Sequence, residues 1–164
     1  MVIKTFKPSM YEIAPLIKEA VSGGKEVRLT VTGFSMFPIL RGGSDDVILS
    51  KPGKVKKYDV VFFERDNGEY IFHRVIKKKN GILTIAGDNE TKKEYPVYEE
   101  KVIAKMTAFI RSGKTYNVTF LPYMIYSRLW LFIFPLRHIA VKIIHNTAVC
   151  MRKIKGVLCH KKAK

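Results

Sequence analysis

The chain has 164 residues, of which 47% are hydrophobic and 27% are charged, and its formal net charge is +16. This size suits one compact domain with an appendage, and the hydrophobic content excludes a wholly disordered chain. All 14 acidic residues lie at or before Glu100, whereas 13 of the 30 basic residues follow it, so the net charge is +3 up to Glu100 and +13 after it. Such a basic block favours polyanionic partners, either anionic lipid or nucleic acid.

Residues 1–24 are predicted to hold a short helix that ends at a pair of glycines. Ser9 and Glu12 fit a capping box that begins the helix after Ser9 and leaves Pro15 inside it. A start at Ala14, with Pro15 in the first turn, is the alternative. We interpret this segment as a helix that packs at the edge of the core. It lacks the unbroken apolar stretch of a signal peptide, so none is predicted.

Residues 25–112 are predicted to form short strands separated by turns. From Val27 onward apolar and polar side chains alternate, which is the period of a half-buried strand, and two Asn-Gly pairs indicate hairpins. Asp45 and Asp46 are interpreted as a solvated loop pair. The further predicted strands are Asp46–Ser50, Tyr58–Glu64, Glu69–Lys77, Gly81–Ala86 and Lys101–Arg111. The expected fold is mainly β, a coiled antiparallel sheet or small barrel, with a short N-terminal helix and a C-terminal apolar, basic helical segment.

Residues 113–164 form the third part, which is apolar first and basic afterwards. The stretch 118–136 carries Arg128 near its middle, and an arginine at mid-bilayer costs about 2.5–3.5 kcal/mol on insertion scales. We therefore predict a segment that lies peripherally on an anionic membrane surface, on the cytoplasmic face. A single membrane span and an amphipathic helix that closes the core are the alternatives. The side chains expected at the lipid surface are Tyr123, Tyr126, Trp130, Arg137, Lys142, Arg152, Lys153 and Lys155.

Nucleic acid is the less favoured polyanion. Recognition of RNA on a sheet usually interleaves aromatic and basic side chains, whereas here the aromatic residues precede the basic tail.

Three short motifs carry a hydroxyl, an imidazole and a carboxylate in chain order. Ser35 lies in the turn-forming run Gly33-x-Ser35-Met36-x-Pro38, His73 lies on a predicted strand, and Asp88 lies in Gly87-Asp88-Asn89. A serine hydroxyl becomes a nucleophile when an adjacent base takes its proton and a third group orients that base. Taken singly, each residue also has a structural interpretation: a turn serine, a core histidine and a turn aspartate. Their ordered combination favours catalysis.

With these motifs, the chain resembles the signal-peptidase-like serine peptidases over about residues 25–110. The run around Ser35 is similar to the nucleophile motif of that family, and Gly87-Asp88-Asn89 is similar to its acidic turn. Tyr58-Asp59-Val60-Val61 resembles its Gly-Asp-apolar-Val strand, with Tyr58 where glycine is usual. His73 stands where many bacterial members carry lysine, as in the archaeal and endoplasmic-reticulum branch.

The resemblance implies a role for each candidate residue. Ser35 would be the nucleophile and His73 the general base, while Asp88 and Glu94 compete as the carboxylate that orients His73. The Ser35 N–H, together with the Thr32 hydroxyl, would hold the oxyanion. Met36 and Phe37 would line either the core or a substrate pocket.

The expected activity is that of a signal peptidase I-type endopeptidase, which needs no metal or organic cofactor. Its substrate would be a signal or leader peptide, or a preprotein, cut after small residues and docked as an added strand.

Two other functions compete with this one. A LexA-like self-cleaving regulator shares the serine motif, but it should carry a helix-turn-helix ahead of the nucleophile and a lysine base. A non-enzymatic membrane- or polyanion-binding protein would depend on the basic tail alone.

Overall fold

The structure is a computed structural model, and it describes residues 9–136. The chain divides into two compact units between Arg128 and Leu129, and the sheet and the candidate site belong to the first. The helices are α1 (Met10–Ser22) and α2 (Leu121–Phe132). The strands are β1 (Val27–Thr30), β2 (Asp46–Ser50), β3 (Val60–Glu64), β4 (Tyr70–Lys79), β5 (Ile82–Ala86), β6 (Glu94–Tyr98), β7 (Val102–Arg111) and β8 (Lys114–Asn117).

The strands form one antiparallel sheet in the order β1-β2-β7-β3-β4-β5-β6, with β8 paired to β7. Within residues 9–136 no strand pair joins β1 to β6, so the sheet is open rather than a closed barrel. The predicted mainly β class, with an antiparallel sheet and a short N-terminal helix, is confirmed.

Strand β3 lies near the middle of the sheet and is buried on both faces. Val60 and Phe62 belong to the core that packs under α1, while Val61 and Phe63 belong to a second core on the other face. Because successive side chains of a strand point to opposite faces, a run of four apolar residues is what a doubly covered strand requires. Strand β4, which carries His73, pairs directly with β3.

Helix α1 begins as the capping box predicted, with Pro15 inside the helix. The Ser9 amide donates to Glu12 Oε2 at 2.7 Å, which satisfies a backbone donor that the helix itself leaves open. Ala14, Ile17 and Val21 recur at helical spacing and are all buried in the first core. The interpretation of this segment as a packing helix is therefore confirmed.

Two strands were not predicted. Strand β6 contains Pro96, which lowers strand propensity. Among the described residues, however, β6 pairs with β5 alone and lies at the edge of the sheet, where a missing N–H is tolerated. Strand β8 is polar and pairs with β7 after a turn at Ser112 and Gly113, both of which have positive φ. The sheet consequently continues past residue 112.

Within the described residues, no helix is both long enough and apolar enough to cross a membrane. On α2, Leu121 and Ile125 are exposed. The prediction that Tyr123 faces lipid headgroups was wrong, because Tyr123 is buried. The basic residues predicted to contact lipid from Arg137 onward lie outside the described residues.

Candidate active site

Ser35 lies on the loop that joins β1 to β2. The base of this loop is closed by two backbone hydrogen bonds, from the Val31 amide to the Asp45 carbonyl at 3.0 Å and from the Gly43 amide to the Val31 carbonyl at 2.8 Å. Gly33 has a φ of +79°, a conformation that suits glycine. Ser35 therefore lies on the loop of residues 31–45, whose base is closed by backbone hydrogen bonds.

Asp45 anchors the same loop from inside the protein. Its side chain is buried and accepts hydrogen bonds from the guanidinium groups of Arg41 and Arg111 and from the Arg41 amide. Burial opposes ionisation, but the hydrogen bonds from Arg111 and Arg41 outweigh it and lower the pKa of Asp45. The expectation that Asp45 is solvated was wrong, because Arg41 of the same loop and the distant Arg111 converge on it in the folded chain.

His73 lies on β4 opposite Val61 and is 2% exposed. Its Nδ1 lies 2.8 Å from Glu94 Oε1, and its Nε2 lies 3.5 Å from Glu90 Oε1. The imidazole is therefore packed inside the sheet and is contacted by a carboxylate on each ring nitrogen.

Glu94 begins β6 and is held by Arg65 as well as by His73. Arg65 donates from Nε to Glu94 Oε2 at 2.7 Å and from Nη2 to Oε1 at 2.8 Å, which is a two-point pair. Burial opposes ionisation of Glu94, but the hydrogen bonds from Arg65 and His73 lower its pKa to about 2. An ionised carboxylate can only accept, so His73 Nδ1 donates to it, and the lone pair of a neutral imidazole then lies on Nε2, the nitrogen 3.5 Å from Glu90.

The turn at Gly87 packs against both the Ser35 loop and His73. The Asn89 amide donates to the Ser35 carbonyl at 2.7 Å. A Cβ placed on Gly87 would lie 2.6 Å from that carbonyl oxygen and 3.0 Å from His73 Nε2. A side chain does not fit between them, so the glycine lets the loop and the imidazole approach each other.

Ser35 and His73 line one groove of about 310 Å³. Thr32, Arg65 and Glu90 supply polar groups to the same groove. Most of the other lining side chains are apolar and come from α1, the β1 region and strands β2 to β4: Met10, Leu29, Val31, Val47, Phe62, Tyr70, Ile71 and Phe72. A concave site with a few convergent polar groups is typical of a ligand-binding site.

The motif residues after Ser35 diverge in position. Met36 is 2% exposed and belongs to the first core, whereas Phe37 is 46% exposed. Met36 therefore belongs to the core, and neither Met36 nor Phe37 is among the residues that line the groove of Ser35 and His73.

Asp88 lies on the other side of β4, paired with Arg74. Arg74 donates to both Asp88 oxygens at 2.7 Å, and its Nη1 reaches the Tyr58 carbonyl and the hydroxyls of Tyr123 and Ser127. Arg74 and Asp88 are both almost completely buried. The two carboxylates considered for His73 therefore separate: Glu94 bonds to His73 Nδ1, and Asp88 forms a buried ion pair that ties β4 to α2.

Tyr58 has a φ of +80°, although it is not a glycine. Its amide donates to the Val75 carbonyl at 2.9 Å, and its carbonyl accepts from Arg74. These bonds hold Tyr58 in a backbone region that non-glycine residues rarely adopt.

His73, Glu90 and Glu94 each place one ligand atom within 4.8 Å of the others, a grouping that a divalent cation could use. However, both Glu94 oxygens already accept from Arg65, and His73 Nδ1 is bonded to Glu94. A cation there would lie beside the Arg65 guanidinium, whose charge opposes it. We interpret the cluster as a hydrogen-bonded group that orients His73 and assign no metal to it.

Arg65 and Glu90 were not predicted. Arg65 directly precedes the hairpin signal Asp66-Asn67-Gly68, where an arginine is usually a solvated residue. Glu90 follows the Gly87-Asp88-Asn89 motif, and only the folded turn places it against His73 Nε2.

In comparisons with known proteins, no family model matches this chain, and no curated protein matches it at a significant level.

Proposed function

We propose that this protein is a serine endopeptidase in which Ser35 is the nucleophile, His73 is the general base and Glu94 orients the base. The observation that carries the proposal is the shared groove of Ser35 and His73, with Glu94 Oε1 2.8 Å from His73 Nδ1. This arrangement leaves Nε2 to take the serine proton, the division of labour that a serine, histidine and carboxylate need.

The reaction would proceed in two halves. His73 Nε2 removes the Ser35 proton, and the Ser35 oxygen attacks the scissile carbonyl carbon. The tetrahedral intermediate collapses to an acyl-enzyme as the imidazolium gives its proton to the leaving amine. A water molecule, activated in turn by His73, then hydrolyses the ester and restores the Ser35 hydroxyl.

The developing oxyanion would be stabilised by the Ser35 N–H, with the Thr32 hydroxyl as a second donor. Thr32 is exposed and lines the same groove as Ser35. Donors that are already held in place stabilise the transition state without the cost of reorganising solvent. The backbone hydrogen bonds that close the base of the Ser35 loop support this part of the proposal.

The substrate would be a peptide or preprotein in an extended conformation. Strand β1 is one end of the sheet and contributes Leu29 and Thr30 to the groove, so a peptide paired with β1 would run past Ser35. The family resemblance implies small residues just before the cut, as in signal and leader peptides.

We place the protein peripherally on an anionic membrane surface. Two features support this: the exposed apolar side chains Leu121 and Ile125 on α2, and the net charge of +13 after Glu100. The cytoplasmic leaflet carries the anionic lipid that such a charge favours.

The test is incubation of the full chain, with anionic vesicles, against a pool of signal and leader peptides read by mass spectrometry. The Ser35→Ala and His73→Ala variants are run beside it, and Ser44→Ala, an exposed serine of the same loop, is the matched control. We expect discrete cuts after small residues that disappear in the first two variants and persist in the control. Cuts that persist in Ser35→Ala would contradict the proposal. A pool left uncut by the unaltered chain would favour a non-enzymatic lipid-binding protein.

A further inference from the structure

Arg65 is fixed at both its backbone and its side chain. Its amide donates to the Glu69 carbonyl at 2.8 Å, and its carbonyl accepts from the Gly68 amide at 2.9 Å, so it lies in the hairpin between β3 and β4. Its Nη1 donates to Glu69 Oε2 at 2.7 Å, while Nε and Nη2 bind Glu94. Every guanidinium nitrogen thus has a carboxylate partner.

Glu94, in contrast, lies at the start of an edge strand. Within residues 9–136, β6 pairs with β5 alone, and β5 lies between β6 and β4, so the Glu94 side chain reaches past β5 to meet His73. A glutamate side chain loses substantial rotamer freedom when it is confined to one conformation. The two-point bond from Arg65 removes that freedom before a substrate arrives, because a planar guanidinium fixes both carboxylate oxygens.

We propose that Arg65 is a positioning residue of the active site. It holds the Glu94 carboxylate in the orientation and at the distance that the hydrogen bond with His73 Nδ1 requires. This inference rests on the proposed function, since it assigns to Arg65 an effect on the reaction that Ser35 and His73 perform. Arg65 acts through Glu94 and gives the site a fourth member. A catalytic base that is poorly oriented costs rate even when every reacting group is present.

The surroundings of Glu94 contain further charges. Besides Arg65, His73 and Glu69, the charged side chains that share a surface depression with Glu94 are Glu64, Asp66, Lys93 and Lys101. Each variant in the test below therefore differs from the unaltered chain at one position, so that a change in the titration of Glu94 can be assigned to that position.

The test compares Arg65→Gln with Glu69→Gln. The first variant removes the bond to Glu94, and the second removes only the other partner of Arg65 and leaves the bond to Glu94 in place. We expect Arg65→Gln to lower kcat by about 10²-fold with little change in KM. Arg65→Lys should restore kcat only in part, because an ammonium cannot reproduce the two-point bond. Glu69→Gln should behave like the unaltered chain.

A second readout does not depend on cleavage. Carbon-13 NMR of the Glu94 carboxyl should show its pKa, about 2 in the unaltered chain, rise toward its ordinary range in Arg65→Gln and stay unchanged in Glu69→Gln. An unchanged Glu94 titration, or an effect of Arg65→Gln on KM alone, would overturn the inference. If Ser35→Ala still cleaves peptides, the proposed function fails, and the titration still decides whether Arg65 holds Glu94.

Discussion

His73 and Arg74 are consecutive on β4, and each binds its own carboxylate: His73 meets Glu94, and Arg74 meets Asp88. Consecutive strand residues point to opposite faces of a sheet, so one face of β4 carries the candidate base while the other carries a buried ion pair. The same strand therefore carries the candidate base on one face and, on the other, the contacts of Arg74 with Tyr123 and Ser127 of α2.

Glu94→Gln should separate catalysis from folding. The amide keeps the size of the side chain but can present its N–H₂ group to His73 Nδ1, which favours the wrong tautomer. For a peptide that the unaltered chain cleaves, we expect kcat to fall by about 10²–10⁴-fold, as for an orienting carboxylate in a serine protease. Circular dichroism should show an unchanged fold. Full activity in Glu94→Gln would show that Ser35 and His73 work without a carboxylate.

Asp88→Asn should act mainly on stability. The substitution leaves the Arg74 guanidinium buried without its counter-charge, and loss of one partner of a buried pair costs about 3–5 kcal/mol. Urea unfolding measures the change in the free energy of unfolding. Asp46→Asn is the control, because its partner Arg28 is 64% exposed and such a pair contributes about 0–1 kcal/mol. Equal losses in the two variants would contradict a structural role for the buried pair.

Acid should weaken the fold through Glu94. Its pKa in the folded chain is about 2, below the ordinary value of 4.5, so the folded state favours the ionised form. The stabilisation is complete above a pH of about 4.5 and is lost as the pH falls toward about 2. The difference in unfolding free energy between the unaltered chain and Glu94→Gln should therefore shrink across this window. If this difference in unfolding free energy stays constant from pH 6 to about 2, the stabilising role of ionised Glu94 is contradicted.

Gly87→Ala should disturb the junction between the Ser35 loop and His73. The new methyl group would lie 2.6 Å from the Ser35 carbonyl oxygen, so the backbone must move. We expect a loss of stability of about 1–3 kcal/mol together with a fall in kcat. Gly23→Ala is the control, since its methyl group would lie 3.5 Å from its nearest contact, the Ala20 carbonyl oxygen. Thermal unfolding and peptide cleavage measure the two effects, and unchanged cleavage would show that the junction does not align the site.

Leu121→Glu combined with Ile125→Glu should weaken binding to anionic vesicles. These side chains are 63% and 49% exposed on α2, and transfer of each leucine-sized side chain to lipid contributes about 1.5–3 kcal/mol. The expected loss of affinity in vesicle co-sedimentation is at least about 10-fold. Thr115→Glu combined with Thr119→Glu, both at exposed positions, controls for the two added negative charges. Unchanged vesicle binding, or tighter binding to a single-stranded oligonucleotide across a salt series, would favour the polyanion-binding alternative.

Much of the fold could be predicted from local pattern. Strand β2 was predicted at its observed bounds, and α1 begins where the Ser9 capping box places it. Strand β6 was missed because Pro96 opposes a strand in isolation, and only its edge position makes the proline acceptable. The burial of Asp45 was missed because Arg111, its partner, is 66 residues away along the chain.

The sequence by itself determined the strand periodicity, the capping box and the order of Ser35, His73 and the acidic residues, because each of these is a short-range property of the chain. Only the tertiary structure decided which carboxylate meets His73. Asp88 and Glu94 are close in sequence, but Asp88 turns toward Arg74, whereas the edge strand β6 brings Glu94 to His73 Nδ1. Which side chains meet across a sheet depends on strand order and register, and these are set by the packing of the whole domain.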